Sequence, residues 1–299
     1  MRAHHFAHDQ PKLFADPYAH LMLSDSDRES VELRFLEGLH RLDPARAASC
    51  PDRQTALALA MRVWLSPAHI LARARYAEDN LSEAVQQGLR HYVIIGAGLD
   101  TFAWRHPELQ ERLHVVELDH PATQAFKRQR LEQVGLPAPR NLRFVPVDLE
   151  RESLATVLAR LAFEPGVPVF FSWLGVTTYL SPTAIQHTWE AISHAAPMGS
   201  QLVFDYLDAD AFTADKSSAR VRQLLDSVRD VGEPMRAGLD PSTLDRALSA
   251  SGLRLIEDLG PDEVQQRYFE GRTDGFRAGD HSHLVWARVE PRAISRAST

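Results

Sequence analysis

Cysteine is almost missing from this chain. Cys50 is the single one in 299 residues, so neither an intrachain disulfide nor a multi-cysteine zinc site can form. No run of about 20 apolar residues occurs, and a membrane-spanning helix needs one. Met1 to Leu23 mixes histidines with acids and has no apolar stretch of roughly 7–15 residues, so no secretory leader is expected. A cytoplasmic protein is the expectation. Positive charge is also short: 33 Lys and Arg face 40 Asp and Glu, a formal net charge of -7. That balance argues against sequence-independent binding to nucleic acid, which needs a basic face. With 44% hydrophobic and 24% charged residues the chain has the composition of a folded globular protein with a substantial core.

The most informative stretch is His91-Tyr92-Val93-Ile94-Ile95-Gly96-Ala97-Gly98-Leu99-Asp100-Thr101. An apolar strand runs into a G-x-G turn and then a helix, and a second strand follows, ending in Glu117-Leu118-Asp119. This is the pattern of a nucleoside-binding unit: glycines let backbone approach the ligand, and a strand-end carboxylate accepts from ribose hydroxyls. The third glycine of the dinucleotide fingerprint is replaced by Thr101, and Asp100 precedes it. An anion at a helix start is comfortable with the dipole but repels a pyrophosphate. A phosphate-free, sulfonium-bearing nucleoside, S-adenosylmethionine (SAM), therefore suits the loop better than NAD.

Strand patterns near 91–95, 113–118, 141–146, 168–172 and 199–205 alternate with helical patterns near 102–112, 120–134, 150–162 and 182–196. Such alternation predicts βαβ crossovers, a mainly parallel sheet and helices on both faces. Ahead of it, residues 1–27 read as a polar arm with a turn at Asp16-Pro17. Helices are expected over Asp27–Leu42 and Thr55–Trp64, with a loop between Pro44 and Pro51. A third helix is expected from Ser66-Pro67, with Ser66 as N-cap. After Asp205 the rhythm breaks, leaving one amphipathic stretch around Val221, Leu224, Leu225 and Val228. A helix over Pro241–Ser251 and strands over Leu253–Glu257 and His283–Val289 complete the pattern. The expected organisation is an N-terminal helical cap (1–88), a SAM-binding core (89–205), a lid insertion (206–240), the rest of the core sheet (241–290) and a disordered tail (291–299).

These pieces together resemble the leucine carboxyl methyltransferase-like family of class I SAM-dependent methyltransferases, which includes bacterial small-molecule O-methyltransferases of the tetracenomycin-pathway type. The resemblance runs from about Asp16 to Val289. It is carried by Ala72-Arg73-Ala74-Arg75-Tyr76, the Gly96–Thr101 block, Glu117-Leu118-Asp119-His120-Pro121, Val147-Asp148-Leu149, Gly175-Val176-Thr177-Thr178-Tyr179-Leu180 and Glu233-Pro234-Met235-Arg236. It implies a Rossmann-like seven-stranded sheet and transfer of a methyl group to a small molecule. Gly96, Ala97 and Gly98 would press against the cofactor, and Asp119, favoured over Glu117, would hold the ribose. Asp148 and Leu149 would meet the adenine, with a helix N-cap as the other reading of Asp148. Arg73 would pair with the methionine carboxylate, with Arg75 as a competitor. Leu174 stands where the family's carboxyl methyltransferases carry a glutamate, a departure that bears on carboxyl methylation. Trp173 could offer an aromatic face to the sulfonium or adenine.

A carboxylate acceptor needs no base, whereas a phenol or alcohol gains from one. Tyr179, Asp205, Tyr206 and His281 are candidates for acceptor contact, with Tyr179 the catalytic candidate. No metal is expected: His4, His5 and His8 lie on a terminus read as mobile, and His281 and His283, alternating on a strand, are read as having no matching acids nearby. The partner implied is a small-molecule methyl acceptor. The competing functions are an NAD(P)-dependent oxidoreductase and a non-catalytic SAM-binding protein.

Overall fold

The structure, a computed structural model, describes residues 1–149, 151–161, 163–230 and 232–290; the tail expected from 291 lies outside them. Five helices precede the first strand: α1 (Arg2–His8), α2 (Asp25–Leu42), α3 (Pro44–Ser49), α4 (Arg53–Val63) and α5 (Leu65–Gln86). Local chemistry starts most of them. Ser24 and Asp27 form a reciprocal capping box on α2, while Asp43 and Asp52 cap α3 and α4 through the backbone N–H of Arg46 and Thr55. The stretch read as a loop between Pro44 and Pro51 is therefore largely helix α3. Ser66 does not cap α5, which begins at Leu65 behind Trp64 with no side-chain cap.

The N-terminal arm differs most from expectation. It holds α1 and a 3-10 turn at Ala19–Met22, and it is packed rather than loose. His5 is fully buried, bonds Asp9 at 2.7 Å and accepts from Leu13 N at 2.9 Å. Asp9 in turn pairs with Arg62 of α4. Satisfying these buried polar groups ties the arm to the helical layer.

The core alternates as the sequence pattern requires. Its strands are β1 (His91–Ile95), β2 (His114–Asp119), β3 (Leu142–Pro146), β4 (Val169–Trp173), β5 (Gln201–Leu207), β6 (Leu253–Leu259) and β7 (Ser282–Val289). Between them lie α6 (Phe102–Arg105), α7 (Pro121–Gln133), α8 (Leu154–Leu161), α9 (Pro182–Ala195), α10 (Ala219–Asp230) and α11 (Pro241–Ala250). The helix expected over 102–112 is cut to α6 and a 3-10 turn at Pro107–Leu109; proline lacks the N–H that would continue it.

The seven strands order as β3-β2-β1-β4-β5-β7-β6, all parallel except β7, which runs antiparallel to both neighbours. The order reverses between β1 and β4, so a crevice opens there beyond the carboxyl ends of the strands. Side chains alternate across the sheet. Tyr92, Ile94, Phe170 and Val203 pack with α5 on one face; Val93, Ile95, Phe171, Trp173 and Phe204 pack with α8, α9 and α11 on the other. Among the described residues no single helix is long and apolar enough to cross a membrane; α4 and α5 pass such a test only as a pair bent by 68°.

Candidate active site

The glycine turn sits at the switch point. Gly96 and Ala97 donate their N–H groups to Leu118 O at 2.8 and 3.2 Å, which folds the turn over the end of β2. Gly96 (φ 70°) and Gly98 (φ 52°) are left-handed. A Cβ on Gly96 would lie 2.6 Å from Val176 Cγ2, whereas one on Gly98 would meet nothing within 4 Å and project into open space. Bare backbone thus faces a cavity of about 400 Å³, walled also by Ile70, Arg73, Leu174 and Gly175.

Asp119 closes the same turn. One carboxylate oxygen accepts from Gly98 N and the other from His120 N at 2.6 Å. Glu117, two residues earlier, points elsewhere: it is 1% exposed and meets Lys127 Nζ at 2.6 Å. Its expected inward orientation is what the strand gives, with a lysine as its partner. Burial outweighs the lysine and pushes its pKa up to about 7. Val147 N donates to Asp119 O at 2.8 Å, bringing the start of the loop after β3 beside this carboxylate. On that loop Leu149 is 50% exposed, unusual for a leucine, and Asp148 pairs with Arg151 at 3.2 Å. Asp148 is not the cap of α8, because Ser153 Oγ accepts from Thr156 N at 3.2 Å and occupies that role.

A second chamber of about 570 Å³ adjoins the first, and Ile70, Arg73 and Gly175 line both. Its wall is mainly apolar, with Val31 and Phe35 from α2, Leu224 and Val228 from α10, and Met235 beyond it. Arg73 is the partition. Its guanidinium lies against Gly175, where any Cβ would collide with it, and Nη1 donates to Asp205 at 3.0 Å. Its Nε is buried without a hydrogen-bond partner among the described residues. Arg75, by contrast, is an exposed arginine paired with Asp79, so it does not compete for this place.

Asp205 is the most heavily bonded carboxylate in the chamber. It accepts from Arg73, from Gly175 N at 2.6 Å, and bonds His69 Nε2 at 2.6 Å. Burial alone would raise its pKa, but Arg73 and these hydrogen bonds hold it well below the usual carboxylate range. Tyr179 also lines the chamber, and burial, reinforced by the charge of Glu233, raises its pKa.

Three other expectations are corrected. Tyr206 lines the second chamber as expected, but its hydroxyl is engaged by Asp258 at 2.8 Å, since alternation turns its side chain to the face opposite Asp205. His281 bonds Asp208 at 2.8 Å and does not line the chamber, and His283 bonds Asp258 at 2.9 Å, so both histidines have acid partners after all. Trp173 is 1% exposed and packs toward Phe204, on the face away from the cavities. Among the described residues no cluster of three or more metal-ligating side chains forms.

His69, missed in the sequence, lies one helical turn before Arg73; the i, i+4 spacing was the available signal. Arg2 was also missed. It pairs with Asp100 at 3.1 Å on the cavity wall, so the acid of the glycine loop is not a bare charge. Burial favours protonation of Asp100, but Arg2, Arg105, Lys127 and the Phe102 N–H bring its pKa down to about 2.

The glycine turn also differs from a pyrophosphate site. Thr101 is buried with its hydroxyl on Asp16 at 2.7 Å, and Asp100 already takes the N–H of Phe102 at 2.7 Å. α6 therefore presents a single turn with one donor already used, a poor anchor for a diphosphate.

Comparison with known proteins agrees. Residues 1–193 match the leucine carboxyl methyltransferase family. The chain belongs to that family. It is 33% identical over 287 residues to YktD of Bacillus subtilis (strain 168), named as a candidate SAM-dependent methyltransferase, covering 96% of this chain and 94% of that one. The fold is similar to that of a DUF574 family protein from Streptomyces avermitilis (TM-score 0.57, 20% identity, covering 81% of this chain and 91% of that one). It is similar also to a candidate methyltransferase from Thermobifida fusca (TM-score 0.52, 17% identity, 92% and 93% covered). As a member of this family the chain is a SAM-dependent methyltransferase of the class I fold, and an oxidoreductase reading is not favoured.

Proposed function

We propose that this methyltransferase transfers the methyl group of SAM to an oxygen atom of a small, largely apolar molecule. The observation that carries the reading is the pair of adjoining cavities, one floored by bare glycine backbone and one walled by apolar side chains, divided by Arg73. The residues present fit SAM. Gly96, Ala97 and Gly98 leave room for its sugar and methionine portions, and the Asp119 carboxylate can accept from ribose hydroxyls. Asp148 and Leu149 would take the adenine, the exposed leucine covering one ring face. The partnerless Nε of Arg73 offers a charged donor to the methionine carboxylate.

When bound, SAM supplies a methyl carbon whose bond to sulfur breaks with the electron pair left on sulfur. The chain's contribution is alignment and exclusion of water. The elements around the second chamber, α2, the start of α5 and α10, together with Met235, would make the acceptor pocket and its cover. Tyr179, which lines that chamber, would touch the acceptor.

Titration calorimetry with SAM, S-adenosylhomocysteine (SAH) and NAD tests the cofactor assignment, with heat expected from the first two. A protein that binds SAM but transfers no label from methyl-tritiated SAM to a small-molecule extract of its source cells would be a sensor, and methyl transfer would be refuted.

A further inference from the structure

We infer that His69 is the general base of this enzyme and that the oxygen methylated is a hydroxyl, phenolic or alcoholic, rather than a carboxylate. The inference rests on the methyl-transfer reading above and sharpens it. His69 and Arg73 lie one turn apart on α5, so both side chains leave the helix on the same face and reach Asp205 at the end of β5. The imidazole is 11% exposed and forms part of the wall of the second chamber. Its Nε2 is held by Asp205 at 2.6 Å, while Nδ1 makes no hydrogen bond to any described residue.

Asp205 itself is unsuited to take a proton. Both its oxygens are engaged, by Arg73, His69 and Gly175 N, and those partners favour its ionised form. What such a carboxylate does is orient the imidazole and stabilise the imidazolium that forms when the ring takes up a proton. A histidine so supported, with one nitrogen free beside an apolar chamber, has a task only if the acceptor gives up a proton. An ionised carboxylate gives up none. A hydroxyl oxygen forms its bond to the methyl carbon with a lone pair and loses its proton to His69 Nδ1. The imidazolium then passes that proton to water, and the pair from the broken C–S bond stays on sulfur. Leucine at position 174, on the wall of the neighbouring cavity, leaves His69 as the proton acceptor best placed for this step.

Other charged groups face the same space and shape its pH response. Arg34, Glu37 and Arg41 come from α2 and Asp230 from α10, Arg73 and Tyr179 share the wall, and so does Met1, whose amino-group pKa burial brings down to about 6.

The test uses the full-length protein, methyl-tritiated SAM and a small-molecule extract of the source cells. Labelled product is treated with mild alkali, which releases volatile methanol from methyl esters and leaves methyl ethers intact. We expect the label to stay. His69→Gln, and His69→Asn as a second variant, should lower turnover at neutral pH by about 10²- to 10⁴-fold. SAH affinity by calorimetry should stay within about threefold of the wild type, which also reports that the variant is folded. The wild-type rate should fall on acidification, because a general base acts only in its unprotonated form. The variants should lack that limb and recover only at alkaline pH, where the acceptor ionises unaided. Label lost entirely to alkali, or variants that turn over like the wild type with its pH profile, would overturn the inference and leave methyl transfer standing. Binding of SAM without transfer of label by the wild type would instead sink the reading beneath it.

Discussion

Replacing Asp119 with alanine probes the cofactor site at its most constrained point. In the free protein the carboxylate is bonded to Gly98 N and His120 N, which shapes the glycine turn. With SAM bound, the same group would accept from two ribose hydroxyls. A hydrogen bond to a charged group contributes about 1.5–3 kcal/mol, so losing two costs about 3–6 kcal/mol. That corresponds to about 10²- to 10⁴-fold in Kd. Asp119→Asn separates the two roles. The amide oxygen can still accept from Gly98 N and keep the turn, but the charge is gone, so its loss should fall between wild type and Asp119→Ala. Calorimetric titration of SAH into the three proteins measures this directly, and thermal denaturation shows that each is folded. If Asp119→Ala bound SAH within about threefold of the wild type, the ribose assignment would be wrong.

Gly98→Val should fold, since a side chain there meets open space, at a cost of about 1–2 kcal/mol for the left-handed backbone, yet SAH binding should be lost by calorimetry. Lys127→Met leaves Glu117 buried without its partner and should lower unfolding free energy in urea, more so above pH 7 than below it, whereas Glu117→Leu with Lys127→Met together should restore most of it. The same pair gives a pH signature. The native state keeps the Glu117 proton up to about pH 7, whereas an ordinary glutamate releases it near 4.5, so the native state binds more protons in that window. Stability should therefore fall as pH rises from 4.5 to 7, by up to about 3 kcal/mol, and the double variant should lack this slope in urea titrations at several pH values. Tyr179→Phe should reduce turnover more than SAH affinity; equal losses in both would remove Tyr179 from the acceptor side.

The sheet was legible because buried parallel strands must be continuous apolar runs, and β4 and β5 are buried at every position. The glycine turn was legible because its backbone geometry excludes most side chains. Alternation alone does not separate Glu117 from Asp119, which lie two apart on one face of β2; Lys127 buries the first, and the second sits at the strand end against Gly98 N. What stayed hidden depends on contacts distant in sequence. Nothing local announces that Arg2 reaches Asp100, that His5 is buried against Asp9, or that Asp208 and Asp258 receive His281 and His283. The reading of residues 1–27 as a loose polar arm failed for the same reason, because polarity does not reveal partners. That Trp173 faces away from the cavities, and that the Tyr206 hydroxyl turns to Asp258, stayed hidden because the facing of each strand is set by its neighbours across the sheet. His69 shares this history: its meaning depends on Asp205, 136 positions later.

The placing of β7 has a consequence for how the polypeptide acquires its shape during synthesis. The strand inserted between β5 and β6 is the last to emerge from the ribosome. Until residues 282–289 arrive, β5 has an open hydrogen-bonding edge and β6 has no neighbour in the sheet. A nascent chain stalled before that point would offer a long apolar edge to other nascent chains, so truncation should promote aggregation far more than the small number of missing residues suggests.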